Sequence, residues 1–325
     1  MKKINILVAM ISVFSISMTT VANAKDSFSN AKAYKASVSN VESFKSNVSK
    51  VSLLYPLSIE GRWGYMNGEG KLAFFPQFEQ AGKFSEGLAP VKKVGGKWGF
   101  INQVGFSIPA KFDYAEKFSE GLAPVIVNNK YGFIDKSGKF SIQPQFQGAR
   151  AFSENLASVK LDGKWGVIDK SGNMVISPKF DYPVGEFSNG LAHYFDGSKY
   201  GYINKKGEVV IEAKYDMVGK FSEEVANVKE KDNKWGFINQ EGKYIIQAQF
   251  AEAGIFSEGL AAVKTSGKWG YINKNGSLEI PAMYDSAEEF LNGIAKVVSI
   301  EDDGYINKNG EFVWLPLVYR TEEFL

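Results

Sequence analysis

The chain reads as an all-β fold assembled from copies of one short unit, and three observations predict it. A motif returns every 34 or 35 residues, turn-forming residues sit at fixed offsets inside each copy, and the strands between the turns are apolar on both faces. The motif begins at Phe84, Phe118, Phe152, Phe187, Phe221, Phe256 and Phe290, and is written Phe-Ser-Glu-Gly-Leu-Ala in its clearest form. A second motif, an aromatic residue followed by glycine, keeps the same beat at Trp63, Trp98, Tyr131, Trp165, Tyr200, Trp235 and Trp269. It degenerates to Asp303-Gly304 in the last copy. The span from Leu53 to Phe324 is 272 residues, which is eight copies of 34.

Within the second copy, Leu88–Lys92 reads as a first strand, Trp98–Ile101 as a second and Phe106–Pro109 as a third. The turn between the second and third strands recurs as Asn or Asp followed three residues later by Gly, as in Asp169/Gly172 and Asn239/Gly242. Asn and Asp side chains bond their own backbone at the turn entry, and Gly supplies a positive φ at the exit. Pro-x-Phe-Asp, as at Pro178–Asp181, is expected to end the third strand, because proline cannot donate to a ladder. Each copy is therefore a three-stranded antiparallel meander with a connecting loop. Trp98 and Phe100 point to one face and Ile101 to the other, so the sheets must stack to bury both. The glycine after each aromatic is expected to leave room for a neighbouring ring.

Two assemblies of such units are available. Thirty-four residues are few for a four-stranded propeller blade, and no copy is split between the chain ends. Both points favour an open array of eight three-stranded meanders, with a closed, β-propeller-like disc as the alternative.

Two segments precede the copies. Residues 1–24 have Lys2 and Lys3, an apolar run from Ile4 to Phe14, and a small-residue site at Ala22-Asn23-Ala24. They read as a cleavable signal peptide with a cut before Lys25, and the apolar run is too short for a membrane span. The expected protein is exported, periplasmic or secreted, with no membrane span after cleavage. Residues 25–52 hold eight serines and five lysines in 28 residues, the composition of a linker. Tyr34, Val38, Val41 and Val48 also recur at helical steps, so the segment is either a linker or an amphipathic helix capping the first copy.

Composition excludes several chemistries. With no cysteine and a single histidine, His193, the chain lacks disulfides, thiolate metal sites, cysteine nucleophiles and histidine-pair metal sites. Removal of Lys2 and Lys3 leaves 36 basic against 36 acidic side chains, a balance that points away from nucleic acid. His193 stands where other copies carry Pro90, Pro124, Ser158, Asn227, Ala262 and Lys296, and so reads as an exposed, permissive position. The recurrent acids Glu86, Glu120, Glu154, Glu223 and Glu258, like Asp113, Asp181, Asp216 and Asp285, read as turn-facing side chains. An evenly spaced row does not make the two unlike environments of an acid/base pair. No catalytic, cofactor or metal residue is assigned.

The order Gly-Lys-Trp-Gly-Phe-Ile-Asn (96–102), Ile-x-Pro-x-Phe-Asp and Phe-Ser-Glu-Gly-Leu-Ala resembles the bacterial WG-repeat (KWG-repeat) family over about 272 of the 325 residues. The resemblance implies an all-β repeat scaffold and no defined reaction. Tyr131, Tyr200 and Asp303 depart from the tryptophan. The function expected from these readings is a non-enzymatic binding or interaction scaffold for a protein or a cell-envelope glycan. The alternative is a carbohydrate-active enzyme with an Asp/Glu pair on one divergent copy. Trp63, Trp98, Tyr131, Trp165, Tyr200, Trp235 and Trp269 form the candidate ligand platform, weighed against a role in the core. The most irregular copies lie at the fourth-to-fifth junction, Tyr182-Pro183-Val184 and Phe195-Asp196-Gly197, and at the end, Glu301-Asp302-Asp303.

Overall fold

The computed structural model describes residues 54–67, 71–230, 232–300 and 303–314, and every regular element among them is a strand. The expected signal peptide and the segment 25–52 lie outside the described residues. All eight copies are present, with first strands starting at Leu54, Ala89, Leu122, Leu156, Leu191, Val225, Leu260 and Ile294. The chain divides into two compact units, residues 1–129 with 134–139, and residues 130–133 with 140–325.

The fourth copy shows how the sequence builds a sheet. Leu156–Leu161 pairs antiparallel with Lys164–Asp169, from Leu156↔Asp169 to Leu161↔Lys164. The two residues between them, Asp162 and Gly163, have φ of 50° and 83°, the mirror-image turn whose twist matches a hairpin. At the next turn Asp169 Oδ1 accepts from the backbone N–H of Ser171 and Asn173, both at 2.9 Å. Met174–Phe180 then pairs back onto the second strand.

This third strand does not stop at its proline. Trp165 pairs with Phe180 and Val167 with Ile176, so Ser177, Pro178 and Lys179 bulge out opposite Gly166. Pro178 is tolerated because the bulge asks for no ladder donor there. The bulge also explains the glycine of the second motif. A Cβ on Gly166 would stand 2.5 Å from Ile176 O and 2.9 Å from Pro178 N. What approaches the glycine is the backbone of its own sheet, where a neighbouring ring was expected.

The expectation of three strands per copy is corrected as well. The connector after Phe146 carries Gly148–Ala149, which pairs with Lys160 and Val159 on the free edge of the first strand. Copies four, six, seven and eight are thus four-stranded meanders, ordered connector, first, second, third. In the first unit the long strand Leu72–Ala81 ends one copy and, through Gln80 and Ala81, supplies the connector of the next, so two copies share one six-stranded sheet. Connector strands of about two residues let 34 residues make four strands. That removes the length argument for an open array of three-stranded meanders, and the sheets match the blades of the alternative, propeller-like reading.

The core lies between copies. In the second unit, Val225, Phe237, Ile246 and Phe250 of the sixth copy pack with Phe256, Ala261, Val263 and Ile272 of the seventh. The seventh and eighth copies repeat the arrangement through Tyr271, Tyr284, Phe290 and Val297. In the first unit, Leu54, Tyr65 and Phe78 meet Ala89, Val91 and Ile101 in the same way. The Phe that opens each first motif is the wedge: Phe256 lies 5.0 Å, ring to ring, from Phe237, and Phe118 lies 4.9 Å from Phe100. A single copy exposes half a core on each face, which is why it cannot be stable alone.

Candidate functional site

The recurrent acids of Ser-Glu-Gly are clamps between successive copies. Glu154 Oε2 accepts from Gly190 N–H at 3.0 Å and pairs with Lys205 Nζ at 3.0 Å, both in the following copy. Glu223 does the same with Gly259 and Lys274, Glu258 with Gly293 and Lys308, and, in the first unit, Glu86 with Gly121 and Lys136. The preceding serine adds a bond, Ser153 Oγ donating to Phe187 O at 2.5 Å and Ser257 Oγ to Phe290 O at 2.6 Å. Asp113, Asp181, Asp216 and Asp285 each pair with the lysine before the second motif, namely Lys97, Lys164, Lys199 and Lys268.

The sequence carried a signal for the clamp in the variation between its own copies. The acid and its lysine are 50 or 51 residues apart, as in Glu86/Lys136 and Glu154/Lys205. Where the acid becomes Asn189, the lysine becomes Gln240. Gln240 Nε2 donates to Asn189 O at 2.8 Å, where Lys274 and Lys308 donate to Glu223 O and Glu258 O. The Lys308 ammonium holds the Glu258 carboxyl below the usual glutamate range. Its folded pKa lies under its unfolded value, so the clamp contributes fully above about pH 4.3 and is lost as pH falls through the folded value. We expect Glu258→Gln to lower stability by up to about 1 kcal/mol at pH 7. In urea titrations, the gap from wild type should narrow as the pH falls through the folded Glu258 pKa.

The candidate platform divides. Trp98 is buried, and the other six rings are half-buried. Trp165 covers Gly148 of its own connector, Trp98 meets the edge of Tyr114 at 5.5 Å, and Trp63 and Trp235 pack on inter-copy cores. Trp269 lies 5.9 Å beneath the Lys264 ammonium and lines a cleft of about 360 Å³ with Ala253, Ala262 and Glu289. Tyr200 alone of the seven lines the larger cleft described next.

His193 is not on an exposed, permissive position. Its row stands against the connector backbone: Pro90 and Pro124 are buried, as are Ser158, Asn227 and Ala262 at 4–6% exposure, and only Lys296 is exposed. The imidazole rests flat on Gly185, where a Cβ would come within 2.3 Å of the ring. Its Nδ1 is buried and has no hydrogen-bond partner among the described residues. Burial lowers the imidazole pKa, the Arg150 charge lowers it further, and Glu186 opposes both.

The surroundings explain this site. Phe180 and Phe187 are seven residues apart, whereas the equivalent pairs, such as Phe146 and Phe152, are six apart. The additional residue, together with Pro183, which lacks an N–H, leaves the fifth copy without a connector strand, and its sheet has three strands. A cleft of about 520 Å³ opens there. Tyr182, Phe195 and Tyr200 form an aromatic wall, with ring centroids 4.9 Å apart for the first pair and 4.7 Å for the second. Tyr200 also meets His193 edge-on at 5.9 Å. Arg150, Glu186 and Lys220 line the same cleft. None of the three forms an ion pair with another described residue, unlike the acids and lysines of the recurrent rows. The irregular junction therefore does assemble a site, contrary to the reading of its sequence. Its signal was the seven-residue spacing. Among the described residues no group of His, Asp and Glu is placed to hold a metal ion, and no helix is long and apolar enough to cross a membrane.

A family model described as "WG containing repeat" matches seven consecutive spans of the chain, from residue 63 to residue 299. No curated protein matches. Among solved structures, a eukaryotic initiation factor is similar with a TM-score of 0.59 at 11% identity, over 81% of this chain and 85% of the other. BamB from Moraxella catarrhalis gives 0.50 at 12%, over 81% and 92%, and the dihydro-heme d1 dehydrogenase NirN in complex with DHE gives 0.51 at 11%, over 82% and 73%. At these identities the likeness is one of fold alone.

Proposed function

The chain belongs to the family of the WG containing repeat, and from that membership we propose that it is an exported, non-enzymatic binding scaffold whose ligand is a cell-envelope glycan. One observation carries the reading. The recurrent polar residues are spent on holding copies together, while the one copy that breaks the pattern presents a cleft with aromatic and charged side chains left unpaired. Ligand pockets take this form, a concave and largely apolar surface with a few convergent polar groups. Sugar rings stack on such aromatic walls through their apolar faces. The signal-peptide pattern of residues 1–24 supports placement outside the cytoplasm.

Co-sedimentation of the exported, full-length protein with insoluble peptidoglycan, beside a panel of soluble polysaccharides as competitors, tests the reading. We expect saturable binding that Tyr200→Ala abolishes at unchanged thermal stability. Failure to bind any glycan overturns it and directs the search to protein partners. Export has its own measurement: N-terminal sequencing of the protein from cell fractions should begin at Lys25, and an intact Met1 in the cytoplasmic fraction would refute export.

A further inference from the structure

We infer that the cleft of the fifth copy selects a sugar bearing a single carboxylate, with the sugar ring on the Tyr182–Phe195–Tyr200 wall and the carboxylate held by Arg150 and Lys220. The inference rests on the binding reading above and names its ligand class.

The argument is one of charge and position. Arg150 comes from the fourth copy, Glu186 and His193 from the fifth, and Lys220 from the sixth, so the set occurs once in the chain. The counterparts of Arg150 are Gly82, Glu116, Gly185, Gly219, Gly254 and Glu288. With two cations and one carboxylate lining it, and an imidazole kept neutral by burial and by Arg150, the cleft carries a net single positive charge. One carboxylate balances that charge. A dianionic phosphate would face the unpaired Glu186 at close quarters and be repelled. A guanidinium fork matches a carboxylate bidentately, which gives orientation as well as attraction.

The remaining polar groups suit hydroxyls. Glu186 accepts hydrogen bonds only, and a neutral imidazole offers one donor and one acceptor. The buried Nδ1 of His193 has no partner among the described residues and lies in the wall of the cleft. A sugar hydroxyl reaching it would satisfy a polar atom that is otherwise buried without a bond. The wall of three rings supplies apolar area for the sugar face, and about 520 Å³ falls in the range of small-ligand sites.

His193 is the only histidine, so its Hε1 resonance reports on this cleft without labelling ambiguity. The test titrates full-length protein with trigalacturonate, with the same trimer reduced at its carboxyls, and with inorganic phosphate, by calorimetry and proton NMR at low salt. We expect trigalacturonate to bind and to shift the His193 signal, and the reduced trimer to bind at least ten-fold more weakly. Inorganic phosphate should leave the signal in place. Arg150→Gln and Lys220→Gln should each weaken trigalacturonate at least ten-fold at unchanged unfolding midpoint, with Lys243→Gln, on a distant exposed turn, as the neutral control. Equal binding of acidic and reduced trimers at the His193 signal overturns the carboxylate assignment and leaves the glycan-binding reading standing. Binding that leaves the His193 signal unmoved overturns the cleft, and tighter binding of phosphate overturns the choice of anion. Peptidoglycan co-sedimentation that survives Arg150→Gln and Lys220→Gln separates failure of this inference from failure of the reading it rests on.

Discussion

Replacing Phe237 by alanine is expected to lower the unfolding free energy by about 3–5 kcal/mol, read as a fall in the urea midpoint. The ring is fully buried on the second strand of the sixth copy. It lies 6.3 Å from Phe250 of its own copy and 5.0 Å from Phe256 of the next, so it belongs to both. Truncation removes the transfer energy of a phenyl group and leaves a cavity that two sheets, each fixed by its own ladder, can close only in part. Because the core lies between copies, the loss should propagate: hydrogen exchange should quicken in the seventh copy as well as in the sixth. A change confined to the sixth copy would show that its sheet holds its own core. Phe237→Tyr sets the scale, since Tyr202 and Tyr271 occupy the same position and donate to Gly219 O and Glu288 O. We expect that variant to lose far less.

The second large effect is Gly166→Ala, expected to lower stability by about 3 kcal/mol. The new methyl would stand 2.5 Å from Ile176 O and 2.9 Å from Pro178 N, and both are backbone atoms that cannot rotate away. Relief requires the bulge in Met174–Phe180 to open, which breaks the pairing on either side of it. Gly87→Ala is the matched control. Its φ is +85°, so alanine is strained there by about 1–2 kcal/mol, but nothing lies within 4 Å of the added carbon. A Gly166→Ala loss no greater than that of Gly87→Ala would mean that backbone conformation, and not the close approach of the third strand, selects glycine at this position.

The two effects differ in how far each was legible beforehand. That Phe237 is core follows from its place in a two-sided apolar strand. That Gly166 is obligatory was also legible from its recurrence, but the reason was misread. A ring was expected over the glycine, and a bulged backbone lies there instead. Strand register across a bulge is set by where Trp165 and Phe180 pair, two residues 15 apart, and no local pattern reports it. The same limit applied to His193. A slot filled by proline, serine, asparagine, alanine and lysine looks permissive in one dimension. Each occupant in fact stands against a different connector, and the pairing of connector and occupant decides the burial.

The sequence by itself determined the number of copies, the turns and the class of fold, because these rest on interactions a few residues long: Asp and Asn capping their own turns, glycine at positive φ, and alternation along single strands. It also marked the irregular junction through one additional residue between Phe180 and Phe187. Only the tertiary structure decided what those pieces do to one another. The connector becomes a fourth strand because a free edge of the next hairpin lies beside it. The Ser-Glu-Gly acids become clamps because successive sheets bring Glu154 to Gly190 and Lys205. The cleft opens because the fifth connector, carrying Pro183 and one residue too many, cannot pair where its equivalents do. Each of these outcomes depends on hydrogen-bonding groups that are 30–50 residues apart in the chain. Their partners are fixed by how sheets pack, which local sequence does not encode.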